Sequence, residues 1–79
     1  MGNVMSLAYV MMNTAPDKME TVLEDVKEND GVEDAYMLYG VYDIIAEVKA
    51  GTSEELKTII LNIRRIEYVS STLTLFVVS

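Results

Sequence analysis

The stretch Leu38-Tyr39-Gly40-Val41-Tyr42-Asp43 decides the fold, because it joins two runs in which the side chains alternate as they do in β-strands. One run extends from Val32 to about Tyr39, and the other from Tyr42 to about Ala50. Gly40 and Val41 leave so short a connection that the two runs are predicted to form an antiparallel hairpin.

An amphipathic helix is predicted on each side of this hairpin. The first extends from Pro16 to about Asn29, with Thr14 or Ala15 as its N-cap, since proline suits the first helical position. Its apolar residues recur at i, i+3, i+4 and i+7, as Met19, Val22, Leu23 and Val26. The second helix begins at a capping box made by Thr52 and Glu55, and it is expected to end near Arg65.

The outermost segments are predicted to be strands, and they complete an internal repeat. Val4 to Met12 is apolar on both alternations, which is typical of a strand covered on two faces, and Tyr68 to Val78 is rich in β-branched residues. A shift of 37 residues superimposes the apolar stripes of the two helices, and it places Val32 on Val69. The chain is therefore read as a single α+β domain over residues 1–79, with the ferredoxin-like order βαββαβ, a four-stranded antiparallel sheet and both helices on one face.

The composition points to self-association. With 79 residues, no cysteine and no histidine, a monomer has a small core and neither disulfides nor histidine-bound metals to reinforce it. The sheet face without helices is expected to be too apolar for water, so two chains are predicted to pack these faces together as a dimeric α/β sandwich or barrel, with higher assemblies to follow. The residues expected on this sheet face, depending on the register of the strands, are Met5, Ala8 or Val10, Ile45, Leu73 and Leu75.

Several classes of function are disfavoured by charge and residue usage. A net charge of −7 repels the phosphate backbone, so no direct nucleic-acid contact is expected. No segment approaches the ~18 apolar residues of a membrane span, and no signal peptide is apparent, so a cytoplasmic protein without membrane contact is predicted. Without histidine or cysteine, no enzyme activity, metal or cofactor is predicted.

Two motifs carry a resemblance to a known family. Gly40-Val41-Tyr42-Asp43-Ile44-Ile45, followed by a capped helix and the segment Ile66–Thr74, resembles the ligand-sensing domain of the Lrp/AsnC regulators, called the RAM domain. That family shows a Gly-x-Tyr-Asp turn and a Leu-Pro-Gly-Val segment leading to Thr-x-Thr, and the resemblance covers about residues 4–78. Glu67-Tyr68 replaces the Pro-Gly, which is expected to alter the turn. The helix-turn-helix of the family is missing, so a stand-alone sensor domain is expected.

The resemblance implies that an amino acid binds between dimers in a ring-like octamer, at a site that includes the hairpin turn. Gly40 would let the backbone approach the ligand, and Asp43 would pair with its ammonium group. The carboxylate of the ligand would accept hydrogen bonds from the backbone N–H groups near Gly40, Val41 and Tyr42. The hydroxyls of Ser71, Thr72 or Thr74 would also donate to it. Partners would be further copies of the chain and full-length Lrp-type regulators.

The same residues allow plainer interpretations. In these, Gly40 only makes the hairpin, Tyr42 only packs, and Asp43 only caps the turn. Two alternative functions also stay open, namely a small dimeric α+β barrel enzyme of the monooxygenase type and a purely structural assembly partner.

Overall fold

The computed structural model describes residues 5–78 and confirms the predicted order of elements and the fold class. The elements are β1 (Ser6–Thr14), α1 (Met19–Lys27), β2 (Val32–Met37), β3 (Ile44–Ala50), α2 (Ser53–Arg64) and β4 (Val69–Phe76). The four strands form one antiparallel sheet in the order β2-β3-β1-β4, so the chain has the βαββαβ arrangement of ferredoxin-like folds. None of the helices within residues 5–78 has the length and hydrophobicity needed to span a membrane.

The hydrophobic core lies between the sheet and the two helices. Val10 on β1 faces Ala46 on β3 and Thr74 on β4, and this register places alternate residues of the two central strands on the helix side. The strand residues of this core are Ala8, Val10, Met12, Ala35, Ile44, Ala46, Val48 and Ala50. The helices contribute Val22, Val26, Leu56, Ile60 and Ile63, which belong to the predicted apolar stripes.

The second helix begins as predicted. The Glu55 N–H donates to the Thr52 side-chain oxygen at 3.1 Å, which satisfies one of the free donors of the first turn. Glu55 Oε1 in turn accepts the N–H of Gly51 at 3.2 Å, so the reciprocal bond is made one residue before the N-cap. Glu54 and Glu55 also complement the positive end of the helix dipole.

The first helix begins later than predicted, at Met19. The N-cap is Lys18, which makes no side-chain cap bond, so the expected caps at Thr14 and Ala15 were wrong. The Ala15 N–H donates to the Tyr68 carbonyl at 3.0 Å, which keeps the chain beside β4, and the Lys18 N–H donates to the Ala15 carbonyl. Residues 15–18 therefore form a turn with Pro16 in its second position, where its fixed φ is favourable.

The strand boundaries also differ from the predicted ones. Strand β1 continues to Thr14, two residues beyond the predicted end, and the predicted start at Val4 lies outside the described residues. β2 ends at Met37 and β3 begins at Ile44, so the hairpin loop spans residues 38–43 and is longer than Gly40 and Val41 alone. A hydrogen bond of 2.7 Å from the Leu38 N–H to the Asp43 carbonyl closes this loop.

The other face of the sheet carries no helix within residues 5–78, and we call it the open face. Its residues on β1 are Leu7, Tyr9, Met11 and Asn13. Cross-strand pairing adds Asp34, Tyr36, Ile45, Glu47, Lys49, Ser71, Leu73 and Leu75. The assignment of Ile45, Leu73 and Leu75 to this face is confirmed. That of Ala8 or Val10 was wrong, because both pair with buried residues under the helices. Met5 is exposed just before β1, and in the single chain β1 is covered on one face, not on two.

The repeat extends to the two connections that lead from helix to strand. The backbone N–H groups of Asn29 and Val32 each donate to the carbonyl three residues earlier, at 3.1 and 3.2 Å. The equivalent residues 37 positions later make the same two bonds at the same lengths. Gly31 has φ +94° and its counterpart Tyr68 has φ +74°. Glu67-Tyr68 therefore forms the same kind of turn as Asp30-Gly31 in the first half of the chain. Tyr68 adopts a backbone conformation that costs ordinary residues about 1 kcal/mol.

Candidate ligand-binding site at one end of the sheet

The hairpin loop and the beginning of β4 meet at the same end of the sheet, on opposite sides of β1. The Asp43 N–H donates to the Met12 carbonyl at 2.9 Å, and Met12 is also the cross-strand partner of Thr72. Asp43 and Thr72 are therefore two strand spacings apart, or roughly 10 Å between backbones. The structure thus brings together two segments that are separated by an entire helix in the sequence.

Asp43 already has a structural role. Its Oδ2 atom accepts the backbone N–H of Thr14 at 2.9 Å, and the residue is half-buried at the end of β1. This bond satisfies a donor at the last residue of β1, so the side chain reaches a neighbouring strand and does not only cap its own turn. A carboxylate has about four acceptor positions, so the bond to Thr14 leaves capacity for a ligand ammonium group.

The three predicted hydroxyl residues do not share one face of the sheet. Ser71 lies opposite Asn13 on the open face, where its Oγ accepts the Asn13 side-chain amide at 3.0 Å. Thr72 and Thr74 lie on the helix side, opposite Met12 and Val10, and both are half-buried. The Thr-x-Thr pair is therefore a unit on the edge strand, whereas Ser71 belongs to the other face.

The tip of the hairpin projects away from the rest of the chain. Tyr39 and Val41 are exposed, and a Cβ built on Gly40 would meet no atom within 4 Å. Gly40 also lacks the positive φ that Gly31 has, so neither a close approach nor a left-handed backbone explains this glycine within the single chain. Tyr42 is half-buried at the base of the loop. The side chains of Tyr39 and Val41 are therefore left to solvent in the single chain.

Arg64 is the residue that the sequence reading missed at this end. It lines a cavity of about 220 Å³ together with Val69, Ser70, Ser71 and Thr72. Arg64 also lies in the last turn of α2, where its charge complements the negative end of the helix dipole. The short connection from α2 to β4 was the available signal, because it brings the last turn of the helix beside the first residues of the strand.

Within residues 5–78, no group of three or more acidic side chains is placed so that it could hold a metal ion. At this end of the sheet Asp43 offers a carboxylate, Arg64 a guanidinium, and Ser71 and Thr72 hydroxyls. Such a set can bind a small zwitterion or a carboxylate through hydrogen bonds.

Known families and structures agree with this fold. Residues 7–79 match the family model of the Lrp/AsnC ligand binding domain. The crystal structure of FFRP-DM1 is 31% identical with a TM-score of 0.87, and the match covers 92% of this chain and 99% of that one. The structure of E. coli AsnC is 24% identical with a TM-score of 0.85, covering 94% of this chain and 51% of AsnC.

A more distant structural neighbour contains a ligand. The complex of the transcriptional regulator NMB0573 from Neisseria meningitidis with L-Met is 17% identical with a TM-score of 0.79, over 94% of this chain and 50% of the regulator. At 24% and 17% identity, AsnC and this regulator show the shared fold alone. A search among proteins of curated function finds no match.

Proposed function

This chain belongs to the family of Lrp/AsnC ligand-binding domains, and we propose that it senses an amino acid in the cytoplasm and passes the signal on through self-association. The observation that carries this proposal is the meeting of the hairpin loop and the beginning of β4 at one end of the sheet, beside an exposed hairpin tip. Because the family consists of regulator ligand-binding domains, we propose no catalytic role.

The open face is proposed as the surface on which two copies pack. Met11 and Ile45 are cross-strand neighbours on the central strands, and Leu73 lies beside Met11 on β4. Contiguous apolar surface of this kind on a small domain favours a protein interface. Dimers formed in this way would place hairpin tips where they can contact neighbouring dimers in a ring such as an octamer. Full-length regulators of the family could join the same assembly and supply the DNA contact.

The proposed ligand is a free amino acid. The structural neighbour that carries L-Met supports this class of ligand, since it has the same fold. Asp43 would accept the ammonium group, with backbone groups of the residues Gly40, Val41 and Tyr42 close to the ligand. Thr72 and Thr74 would hold the carboxylate. Ser71 already accepts a hydrogen bond from the Asn13 side chain, so it would bind the ligand only if the ligand replaces Asn13.

Calorimetric titration with the twenty amino acids tests the proposal, using Asp43→Asn as the decisive variant. This substitution keeps an oxygen that can accept the Thr14 N–H but removes the charge, so the fold is expected to persist. Losing a charge-assisted bond of about 1.5–3 kcal/mol should weaken the binding of the preferred amino acid by about tenfold or more. Asp30→Asn is the matched control, because Asp30 lies at the other end of β3, next to Gly31, whose carbonyl accepts the Lys49 N–H.

A second candidate function is a purely structural assembly partner. It is favoured by the hydrogen bonds that Asp43 and Ser71 already make within the chain. If none of the amino acids binds at millimolar concentration while the chain still self-associates, the sensing role is wrong and the assembly role stands.

A further inference from the structure

The two edge strands of the sheet differ in the protection they carry against pairing with another chain. β2 has six residues and carries Glu33 and Asp34, with a register shift beside them. β4 has eight residues with no charged side chain and no proline. Short edges, charges and irregularities prevent strand addition, whereas a long uncharged edge invites it. β4 is therefore the edge that is open to a further strand.

The backbone groups that face outward from β4 can be identified from its hydrogen bonds to β1. The Val77 N–H donates to the Leu7 carbonyl at 2.9 Å, and these two residues lie opposite each other when the register is extended by one pair. In an antiparallel pair, inward and outward backbone groups alternate along a strand. Thr72, Thr74 and Phe76 therefore direct their N–H and C=O groups toward the free edge.

A groove runs along this edge, between β4 and helix α2. Its cavity of about 270 Å³ is lined by Lys57, Ile60, Leu61 and Arg64 from the helix and by Thr74 and Phe76 from the strand. Arg64 also lines the cavity of about 220 Å³ at the beginning of β4, so the two cavities meet at this side chain. The four helix residues follow the spacing i, i+3, i+4 and i+7, which places them on one side of α2.

The charge of the groove is opposite to that of the molecule. The chain has 13 acidic and 6 basic residues, yet the residues that line these two cavities include two basic side chains and no carboxylate. Lys57 stands near one end of the groove and Arg64 near the other, with apolar Ile60 and Leu61 between them. An acidic ligand is attracted here and repelled by most other surfaces of the chain.

We propose that the groove between α2 and β4 binds an extended acidic segment of another protein, which adds to β4 as a fifth strand. Main-chain bonds to Thr72, Thr74 and Phe76 would give the pairing, and the side chains on one face of the segment would meet the helix. Lys57 and Arg64 are seven residues apart on α2, or about 10 Å. Two residues four apart in a strand span about 13 Å, a difference that long basic side chains can bridge.

This spacing defines the sequence that the groove should prefer. A carboxylate at the first position, an apolar residue at the third and a carboxylate at the fifth would share one face of the segment. The carboxylates would meet Lys57 and Arg64, and the apolar residue would meet Leu61. A second copy of this chain fits less well, because pairing two β4 strands edge to edge would bring two sets of the same cations together.

The test uses a fluorescent seven-residue peptide with Glu at its second and sixth positions, Val at the fourth and Thr elsewhere, titrated with the protein and followed by polarisation. Saturable binding that weakens with added salt is expected. A peptide of the same composition with Glu at the third and fifth positions places its carboxylates on the opposite face from Val, and it should bind at least about threefold more weakly. Equal binding of the two peptides, or no binding of either, overturns the proposal.

Two variants locate the binding on the protein. Removing both cations in the double variant Lys57→Gln/Arg64→Gln should weaken binding by about threefold to tenfold, since each exposed ion pair contributes only a modest amount. Arg65→Gln removes the neighbouring charge, which does not line the groove, and should leave the affinity unchanged. If Arg65→Gln gives half the logarithmic loss of the double variant or more, only net charge matters, which contradicts the proposed site.

Thr74→Pro removes an outward N–H and should abolish peptide binding without breaking a bond to β1, because proline is tolerated at strand edges. Circular dichroism checks its fold, and the cation variants decide the matter if it does not fold. If the assembly formed by Thr74→Pro has a lower mass than the wild-type assembly, a second copy of the chain occupies β4. That result overturns the proposal. Amino-acid binding is measured separately with Asp43→Asn, so failure of either proposal can be recognised without the other.

Discussion

The two faces of the sheet are made by the same strands, yet they have opposite environments. On β1, Val10 is 0% exposed beneath the helices, whereas its neighbour Met11 is only half-buried on the open face. Both positions are apolar, so hydrophobicity alone does not distinguish them. The covered face stabilises the single chain, and the open face can gain a similar stabilisation only by packing against another molecule.

The largest effect is expected when an aspartate is introduced on each face of the sheet in turn. Val10→Asp buries a charge without a partner and should unfold the chain, at a cost above about 4 kcal/mol. Met11→Asp places the same group on the open face, so the fold should persist while self-association is lost. Circular dichroism and sedimentation velocity separate the two outcomes. A folded Val10→Asp variant, or a Met11→Asp variant that still self-associates, would contradict the assignment of the faces.

A smaller effect comes from truncating helix α2 on its covered and uncovered sides. Ile63 is fully buried, so Ile63→Ala should lower the free energy of unfolding by about 2–5 kcal/mol through lost burial and a cavity. Leu61 is 46% exposed, and Leu61→Ala should cost less than about 1 kcal/mol. Urea denaturation measures both values. Equal losses would mean that another copy covers Leu61, which can be checked by repeating the measurement at several protein concentrations.

The smallest effect compares two glycines. Gly31 combines φ +94° with a position where a Cβ would overlap Ile59 Cδ1, so Gly31→Ala should destabilise the chain by about 1–3 kcal/mol. Gly40 has open space around it, and Gly40→Ala should change stability by less than about 0.5 kcal/mol in either direction. Thermal unfolding of the two variants side by side gives the difference. A larger loss at Gly40 would indicate a close contact from another copy.

The features that sequence predicted correctly depend on local chemistry. The helical stripes and the N-cap at Thr52 depend on residues close together in the chain, and the structure confirms them. The beginning of α1 was wrong because the Ala15 N–H pairs with the distant Tyr68 carbonyl. Local patterns contain no information about that contact.

The open face and the candidate site show the same limit. β1 is apolar on both alternations, so its sequence could not tell which residues face the helices until the register with β3 was known. The hairpin around Gly40 to Asp43 was predicted correctly, and its part in ligand binding stays a prediction. The bond from Thr14 to Asp43, the separation of Ser71 from Thr72 and the place of Arg64 all depend on strand pairing and could not be read from the motif.

Sedimentation equilibrium of the wild-type chain at micromolar concentration tests the central claim most directly, because both the open face and the exposed hairpin tip acquire their proposed roles only in an assembly. We predict a mass of at least twice that of one chain, and a return to the single-chain mass for folded Met11→Asp. A wild-type chain that sediments as a stable monomer at that concentration would contradict the account.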